Sequence, residues 1–300
     1  METLRIDQVR DYTTRFGQEA LHPLLSVIDL NTVDYVPGAR AESILFNCYA
    51  VFLKGAEKIH IRYGRQSYDY QDGTLIFFAP GQLVDISTDG PNYRASGQAL
   101  LFHPDLLLGT ALAGKMHEYH FFGYAVNEAL HLNEKERHLA QGCFERLQYE
   151  LERDADRHSR RVMVSILEMF LNYCDRFYDR QFATRDVSHE GVLAGFEREL
   201  QQYYRSGQAR ERGPATVAFF ADRFHLSPNY FGDLIRKETG RSAQDHIQST
   251  MIRVAKERLY EPEISVSEVA YALGFEHPQH FTRMFKKNTG MTPKAFQLAG

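Results

Sequence analysis

Two short segments of the chain carry hydrogen-bonding side chains at helical spacing. Residues 226–240 read LSPNYFGDLIRKETG, and residues 276–290 read EHPQHFTRMFKKNTG. In the second segment a glutamine, an arginine and a lysine share one helical face, opposite two phenylalanines. Glutamine pairs with adenine, arginine with guanine, and lysine with guanine or with a phosphate. These side chains therefore suit the recognition of a nucleic acid.

The two segments repeat one pattern, fifty residues apart. The matched positions are Pro228 and Pro278, Phe231 and Phe281, Arg236 and Lys286, Lys237 and Lys287, and Gly240 and Gly290. A solvated charged face would explain one such helix. It does not explain why the whole unit, basic pair included, is present twice, so the duplication favours DNA binding.

The apolar positions decide which side of each helix is exposed. The residues predicted to face inward are Phe231, Leu234, Ile235, Phe281, Met284 and Phe285. The predicted DNA-facing residues are Asn229, Gly232, Asp233, Arg236 and Lys237 in the first copy, and Gln279, His280, Thr282, Arg283, Lys286 and Lys287 in the second. Asp233 repels phosphate, and Gly232 offers no side chain but permits close backbone approach. The second helix is therefore expected to carry more of the direct base readout.

Local signals make each segment the second helix of a helix-turn-helix unit. In the first unit Thr216 caps a short helix, a tight turn follows at His225, and Ser227 caps the second helix. In the second unit an S-x-x-E capping box begins at Ser265, and a glycine supplies the turn. A helix over 242–260, roughly 28 Å long, joins the units, which could then enter successive major grooves ~34 Å apart.

The C-terminal third of the chain resembles the DNA-binding domain of the AraC/XylS family of bacterial transcription regulators. The resemblance rests on LSPNYFGDLIRKETG and above all on VSEVAYALGFEHPQHFTRMFKKNTGMTPKAF, residues 266–296. It implies that residues 191–300 form seven helices with two helix-turn-helix units. It also implies sequence-specific binding to double-stranded promoter DNA, with RNA polymerase as a further candidate partner.

The first hundred residues are typical of short β-strands with turns between them. Apolar and β-branched runs over 42–55, 57–64, 68–87 and 97–107 predict a small antiparallel barrel or sandwich. The stretches GTLIFFAPGQ and ALLFHPDLL resemble the cupin-like sensing domain of many such regulators. That resemblance implies an antiparallel β-barrel that binds an effector, followed by helices that dimerise.

Two amphipathic helices are predicted over 133–155 and 160–182. Their apolar faces either pack on the barrel or form a homodimer interface, and the sequence leaves both readings open. The polar residues 183–191 are taken as a linker. The predicted fold is α+β: a cupin-like domain with a helical hairpin over 1–185, and an all-α DNA-binding domain over 190–300.

Composition limits the class of protein. The net charge of the 300 residues is −4, but residues 191–300 hold 15 basic and 12 acidic residues, a net of +3. This asymmetry favours an anionic partner for the C-terminal part. The three cysteines form no C-x-x-C pair, and neither a signal peptide nor a long apolar run is present. We therefore expect a cytoplasmic protein without a membrane segment.

The N-terminal half lacks the residues of a catalytic metal site. Cupin metal sites need two histidines alternating on one strand, whereas His60 stands alone in its predicted strand. No nucleophile motif or phosphate loop is recognisable, so we expect neither enzyme activity, nor a bound metal, nor another cofactor.

Two functions remain open from the sequence, together with a remote third. The first is a transcription regulator whose barrel binds a small-molecule effector, for which Tyr63, Tyr68 and Tyr70 are the candidate contacts. The second is a DNA-binding regulator whose barrel only dimerises or binds a protein partner. The third, a cupin enzyme fused to a DNA-binding tail, requires a bound metal.

Overall fold

A computed structural model of the chain describes residues 3–32, 42–55, 60–63, 66–69, 73–87, 96–125, 128–184, 186–261 and 263–299. The side chains of 42, 60–63, 66–69, 85–87, 183, 184, 186–190 and 299 are outside this description. The chain divides into two compact units, Met1–Thr184 and Arg185–Gly300.

The described strands of the first unit form two five-stranded sheets. The strands are β1 (Thr3–Ile6), β2 (Leu25–Asp29), β3 (Glu42–Phe46), β4 (Tyr49–Lys54), β5 (His60–Tyr63), β6 (Gln66–Asp69), β7 (Thr74–Phe78), β8 (Gln82–Ser87), β9 (Gly97–Phe102) and β10 (Leu130–His131). One sheet has the order β1-β3-β8-β5-β6, and the other has the order β10-β7-β4-β9-β2. The pairing of β1 with β3 is parallel, and the other pairings are antiparallel.

The two sheets bury one common core between their inner faces. Alternate residues of β4, Ala50 and Phe52, point into it, and Phe46 from the opposite sheet stacks on Phe78 at 5.5 Å. The predicted antiparallel barrel is therefore wrong for the described residues, whose two sheets do not close into one. They form the sandwich that the strand pattern allowed as the alternative. Bulky aromatic side chains already fill the space between the layers, so the core is complete without closure.

The helices of the first unit are α1 (Val9–Thr13), α2 (Ala111–Lys115), α3 (Glu134–Glu152) and α4 (Ser159–Thr184), with 3₁₀ turns at Thr14–Phe16, Pro104–Leu107, Met116–Glu118 and His120–Gly123. Helix α1 adds Val9 and Tyr12 to the core between the sheets, whereas α4 and the last 3₁₀ turn pack on the outer face of the β4-containing sheet. Phe77 of β7 packs against Phe121 and against Tyr178 of α4. This second layer explains why every residue of β7 is buried.

Part of the predicted apolar face of these helices is exposed. Phe170 and Phe177 of α4 are buried, but Val162 and Met169 are each 38% exposed. Leu139 of α3 is exposed as well. The buried side of α4 instead includes Met163, Leu167, Leu171 and Cys174. The exposed apolar stripe thus lies beside the buried one on the same helix.

The predicted linker is helical on both sides of Arg185, which is outside the description. Helix α4 extends to Thr184, and the next helix, α5, spans Asp186–Arg205. The polar run over 183–191 has ordinary helix propensity apart from its glycine. A helix propagates readily from the apolar residues that follow, because extension adds a hydrogen bond for each residue fixed.

The described residues of the second unit form eight helices, one more than the seven that the resemblance implied. After α5 come α6 (Gln208–Arg212), α7 (Val217–Arg223), α8 (Pro228–Thr239), α9 (Ala243–Leu259), α10 (Val266–Ala272), α11 (Pro278–Thr289) and α12 (Pro293–Ala299). The additional helix is the five-residue α6. Among the helices that the structure describes, none is long and apolar enough to cross a bilayer.

Candidate nucleic-acid interface

The first helix-turn-helix unit consists of α7 and α8. Thr216 caps α7 by accepting a hydrogen bond from the backbone N–H of Phe219 at 3.2 Å. The turn closes when the N–H of Leu226 donates to the carbonyl oxygen of Ala221, at 2.9 Å. Ser227 then caps α8, as predicted, by accepting from the N–H of Tyr230 at 3.2 Å.

The second unit, α10 and α11, closes in the same way. Ser265 and Glu268 form the predicted capping box. The N–H of Phe275 donates to Ala270, at 3.0 Å, which is the same backbone bond as in the first turn. His277 stands at the start of α11, where the first unit has Ser227, and it forms no side-chain capping bond because histidine is not a capping residue.

The repeat extends beyond the part that was recognised in the sequence. The hydroxyl of Thr239 lies within hydrogen-bond distance of the carbonyl oxygens of Ile235 and Arg241. In the second copy the hydroxyl of Thr289 makes the corresponding contacts with Phe285 and Met291. In both copies a left-handed glycine ends the helix, at φ 70° for Gly240 and φ 82° for Gly290. The signal in the sequence is T-G-x-S/T, which fixes the entry to α9 and to α12.

The two turns differ at the residue in left-handed conformation. Gly274 has φ 87°, and a Cβ there would overlap the backbone of Ala209 and Gly213 at the ends of α6. In the first turn His225 adopts φ 57° and carries a full side chain. The second turn is thus packed directly against backbone, which only glycine permits.

The structure places the predicted DNA-facing side chains outside the core. Most of them are exposed: Asn229, Arg236, Lys237, Gln279, His280, Arg283, Lys286 and Lys287. Gly232, Asp233 and Thr282 are half-buried, and the hydroxyl of Thr282 donates to Pro278 at 3.0 Å. The predicted inward residues are buried except Met284, which is half-buried.

The second helices of the two units, α8 and α11, differ in net charge. Helix α11 contains Arg283, Lys286 and Lys287 and no acidic residue, a net of +3. These three exposed side chains form no hydrogen bond or ion pair with any residue that the structure describes. Helix α8 balances Arg236 and Lys237 with two acidic residues. The potential that attracts a polyanion is therefore stronger at α11.

Other basic side chains of this unit already have partners. Arg223 of α7 pairs with Glu199 of α5, and Arg253 of α9 pairs with Glu257 at 2.9 Å. The guanidinium of Arg241 donates to Ser249 at 2.6 Å. Arg205, Arg210 and Lys294 also lack a hydrogen bond or ion pair with the described residues, so what distinguishes α11 is that its three basic side chains lie on one helix without an acidic residue.

The candidate effector residues of the first unit fall largely outside the description. Tyr63 and Tyr68 lie in β5 and β6, whose side chains are not described, and Tyr70 is outside the described residues. Among the described residues, no cluster of three His, Cys, Asp or Glu side chains is arranged to hold a metal ion.

Comparison with known proteins concerns this same C-terminal region. Residues 220–299 match the family profile described as a helix-turn-helix domain. The uncharacterized HTH-type transcriptional regulator YobQ of Bacillus subtilis is 35% identical over 82 residues, which are 27% of this chain and 34% of that protein. The regulator YtdP of the same organism is 36% identical over 121 residues, which are 40% of this chain and 15% of that protein.

Among solved structures, the C-terminal domain of AraT, a response regulator from Geobacillus stearothermophilus, is 21% identical. The structural match covers 36% of this chain and 85% of the AraT domain, with a TM-score of 0.32. The chain thus spans about a third or less of the length of the two curated relatives.

The family match includes both second helices and the turns before them. Residues 220–299 therefore form a helix-turn-helix domain, and the domain is of the AraC type.

Proposed function

We propose that this chain is a transcription regulator that binds double-stranded promoter DNA in a sequence-specific manner through α8 and α11. Helix α11 reads bases with Gln279 and Arg283, while Lys286 and Lys287 contact guanine or phosphate. Helix α8 adds Asn229 and Arg236, and Gly232 permits close approach of the backbone. This role places the chain in the cytoplasm, where bacterial DNA lies.

The observation that carries this proposal is the duplicated unit with an uncompensated basic face. A structural role would not require the same capped first helix, turn bond and terminal glycine twice. Nor would it leave Arg283, Lys286 and Lys287 exposed without acidic partners within the described residues. Three such cations in one helix suit a major groove, which is bordered by phosphates and presents base edges.

Selection of random duplex DNA by the purified full-length protein tests the proposal. We expect an enriched motif with two boxes about one helical turn apart. A single box would assign the sequence reading to α11 alone. Absence of any enriched motif, with binding that vanishes as salt rises, would refute sequence-specific regulation by this chain.

The first unit is proposed to form the homodimer and to bind a small-molecule effector that changes the DNA affinity. Its exposed stripe on α4, formed by exposed Val162 and Met169 and half-buried Ile166 and Tyr173, is continuous along one face of the helix. Two such stripes facing each other would bury apolar side chains that are now in water.

A further inference from the structure

Two histidines stand together at the start of α11. The rings of His277 and His280 meet edge to face, with their centroids 5.6 Å apart and their planes at 82°. Both side chains are exposed, and neither forms a hydrogen bond or ion pair with any residue that the structure describes. The pair therefore presents ring nitrogens that are open to a partner at the surface of the second unit.

Neither the core nor the helix requires this pair. At the corresponding positions of the first unit, Ser227 caps α8 and Tyr230 is only 1% exposed. His277 occupies the capping position of α11 without forming a capping bond, and His280 is exposed where Tyr230 is buried. The second copy thus has two exposed imidazoles in place of a cap and a buried aromatic ring, which a purely structural role does not explain.

The pair continues the basic face of α11 toward the start of the helix. The members of this row are His277, His280, Arg283 and Lys287, at intervals of three, three and four residues. Such intervals place side chains on one side of a helix. Arginine and lysine are charged at neutral pH, whereas an imidazole gains its positive charge only below about pH 6.5. The row therefore carries two fixed charges and two that depend on the uptake of a proton.

The charged neighbours of the pair leave it without an anionic partner among the described residues. The helices packed against α11 are α10 and α12, whose titratable side chains are Glu268, Tyr271 and Lys294. Glu268 already accepts the N–H of Ser265 in its capping box. Glu276, in the turn before α11, is exposed and forms no bond with either ring. An anion that contacts both rings must therefore come from another molecule.

We propose that His277 and His280 each take up a proton from the solvent and donate a hydrogen bond to a DNA phosphate. A phosphate oxygen without a proton only accepts, so it stabilises the charged form of each ring. Without DNA, two adjacent positive charges repel each other, and the polyanion offsets this repulsion. DNA affinity therefore increases as the pH falls through the range in which histidines titrate. This contact rests on the DNA binding proposed above and makes it sensitive to pH.

Full-length protein and a fluorescent duplex of random sequence provide the test, because a phosphate contact needs no particular sequence. Fluorescence anisotropy over a sodium chloride series gives the binding constants at pH 6 and at pH 8. For the wild type, we expect the slope of log K against log salt to be steeper at pH 6, by about 1 for each protonated histidine. His277→Ser and His280→Gln should each remove about 1 from this difference and leave the affinity at pH 8 within about twofold of the wild type.

The choice of variants separates a lost contact from a lost fold. His277→Ser restores the capping residue of the first unit, so its melting temperature should not fall below that of the wild type. Weaker DNA binding by this variant at pH 6 then reports the missing contact and not unfolding. His138→Gln, which changes an exposed histidine of α3, is the matched control and should keep the full difference in slope.

Two results would overturn the proposal: a wild-type slope that is the same at both pH values, or a pH-dependent slope that either variant retains in full. The DNA selection described above separates this site from the function on which it rests. A change of slope that depends on the two histidines, without any enriched motif, would refute sequence-specific regulation alone. An enriched motif together with a slope independent of pH would refute only the histidine site.

Discussion

Arg283 and Lys287 lie one helical turn apart on α11, and both are exposed without a partner in the described structure. Their chemistry nevertheless differs. The planar guanidinium can donate two parallel hydrogen bonds to guanine, whereas the ammonium of Lys287 is a compact charge suited to phosphate. At the scale of the residue, whether a basic side chain recognises a base or only attracts the phosphate backbone therefore depends on whether it is an arginine or a lysine.

Replacing each with alanine should separate these roles. Arg283→Ala is expected to relax the preference at one base pair by about 1–3 kcal/mol, because one bidentate contact is lost. Lys287→Ala is expected to weaken all sequences alike and to reduce the slope of log K against log salt by about 1. Fluorescence anisotropy with the selected duplex, a single-mismatch duplex and a sodium chloride series measures both.

Lys135→Ala, in the first unit, should leave both quantities unchanged. Equal losses on every duplex for the Arg283 and Lys287 variants would contradict the assignment of base reading to Arg283.

The burial of Lys54 predicts that the free energy of unfolding depends on pH. Its pKa falls from 10.5 to about 7 on folding because burial disfavours the charged amine. Between these values the unfolded chain holds a proton that the folded chain does not. The free-energy penalty for burying the charged amine is therefore absent above about pH 10.5 and grows as the pH falls. It reaches its full value below about pH 7. Lys54→Met should be more stable than the wild type by on the order of 4 kcal/mol at pH 7.

Urea unfolding at several pH values measures this difference between the two proteins. We expect the advantage of Lys54→Met to shrink steadily from pH 7 to pH 10. A difference that does not change with pH would show that the amine is not desolvated in the folded state.

At the scale of the element, the turn of the second unit depends on close packing against α6. Gly274→Ala would force a Cβ into the backbone of Ala209 and Gly213 and would strain a residue at φ 87°. We expect a loss of about 3–5 kcal/mol in the free energy of unfolding. Gly240→Ala, at φ 70° with open space around it, should lose only about 1–2 kcal/mol.

Chemical denaturation of both variants tests this comparison. Similar losses would mean that the backbone conformation alone, and not the contact with α6, requires glycine at position 274. The first turn provides the reverse case: His225→Gly relieves backbone strain at φ 57° but adds freedom to the unfolded chain, so the free energy of unfolding should change by less than about 1 kcal/mol.

At the scale of the whole molecule, two DNA-binding domains on one dimer would bind one promoter jointly. Full-length protein is expected to sediment as a dimer at micromolar concentration. Met169→Glu places a charge in the exposed stripe of α4 and should produce monomers with weaker DNA binding. Because Met169 is exposed within its own unit, the monomer should remain folded.

Leu21→Glu changes another exposed apolar residue of the same unit, in the segment before β2, and serves as the control in analytical ultracentrifugation. A Met169→Glu protein that remains dimeric would exclude this stripe as the interface.

The sequence by itself determined the elements whose signals are local. Caps at Thr216, Ser227 and Ser265, terminal glycines and helical spacing each act within four residues, so the duplicated units follow from short-range hydrogen bonds and sterics. The same spacing separated the basic face of α11 from its buried phenylalanines. For this reason the candidate DNA-contacting residues could be predicted together with the helices that carry them.

Only the tertiary structure decided which apolar surfaces meet. Whether ten short strands close into a barrel depends on pairings between distant strand edges, and no local pattern encodes them. Likewise, helical spacing could not tell the buried stripe of α4 from the exposed one, because both are apolar. The burial of Lys54 was also hidden, since a lysine at a strand end is usually exposed.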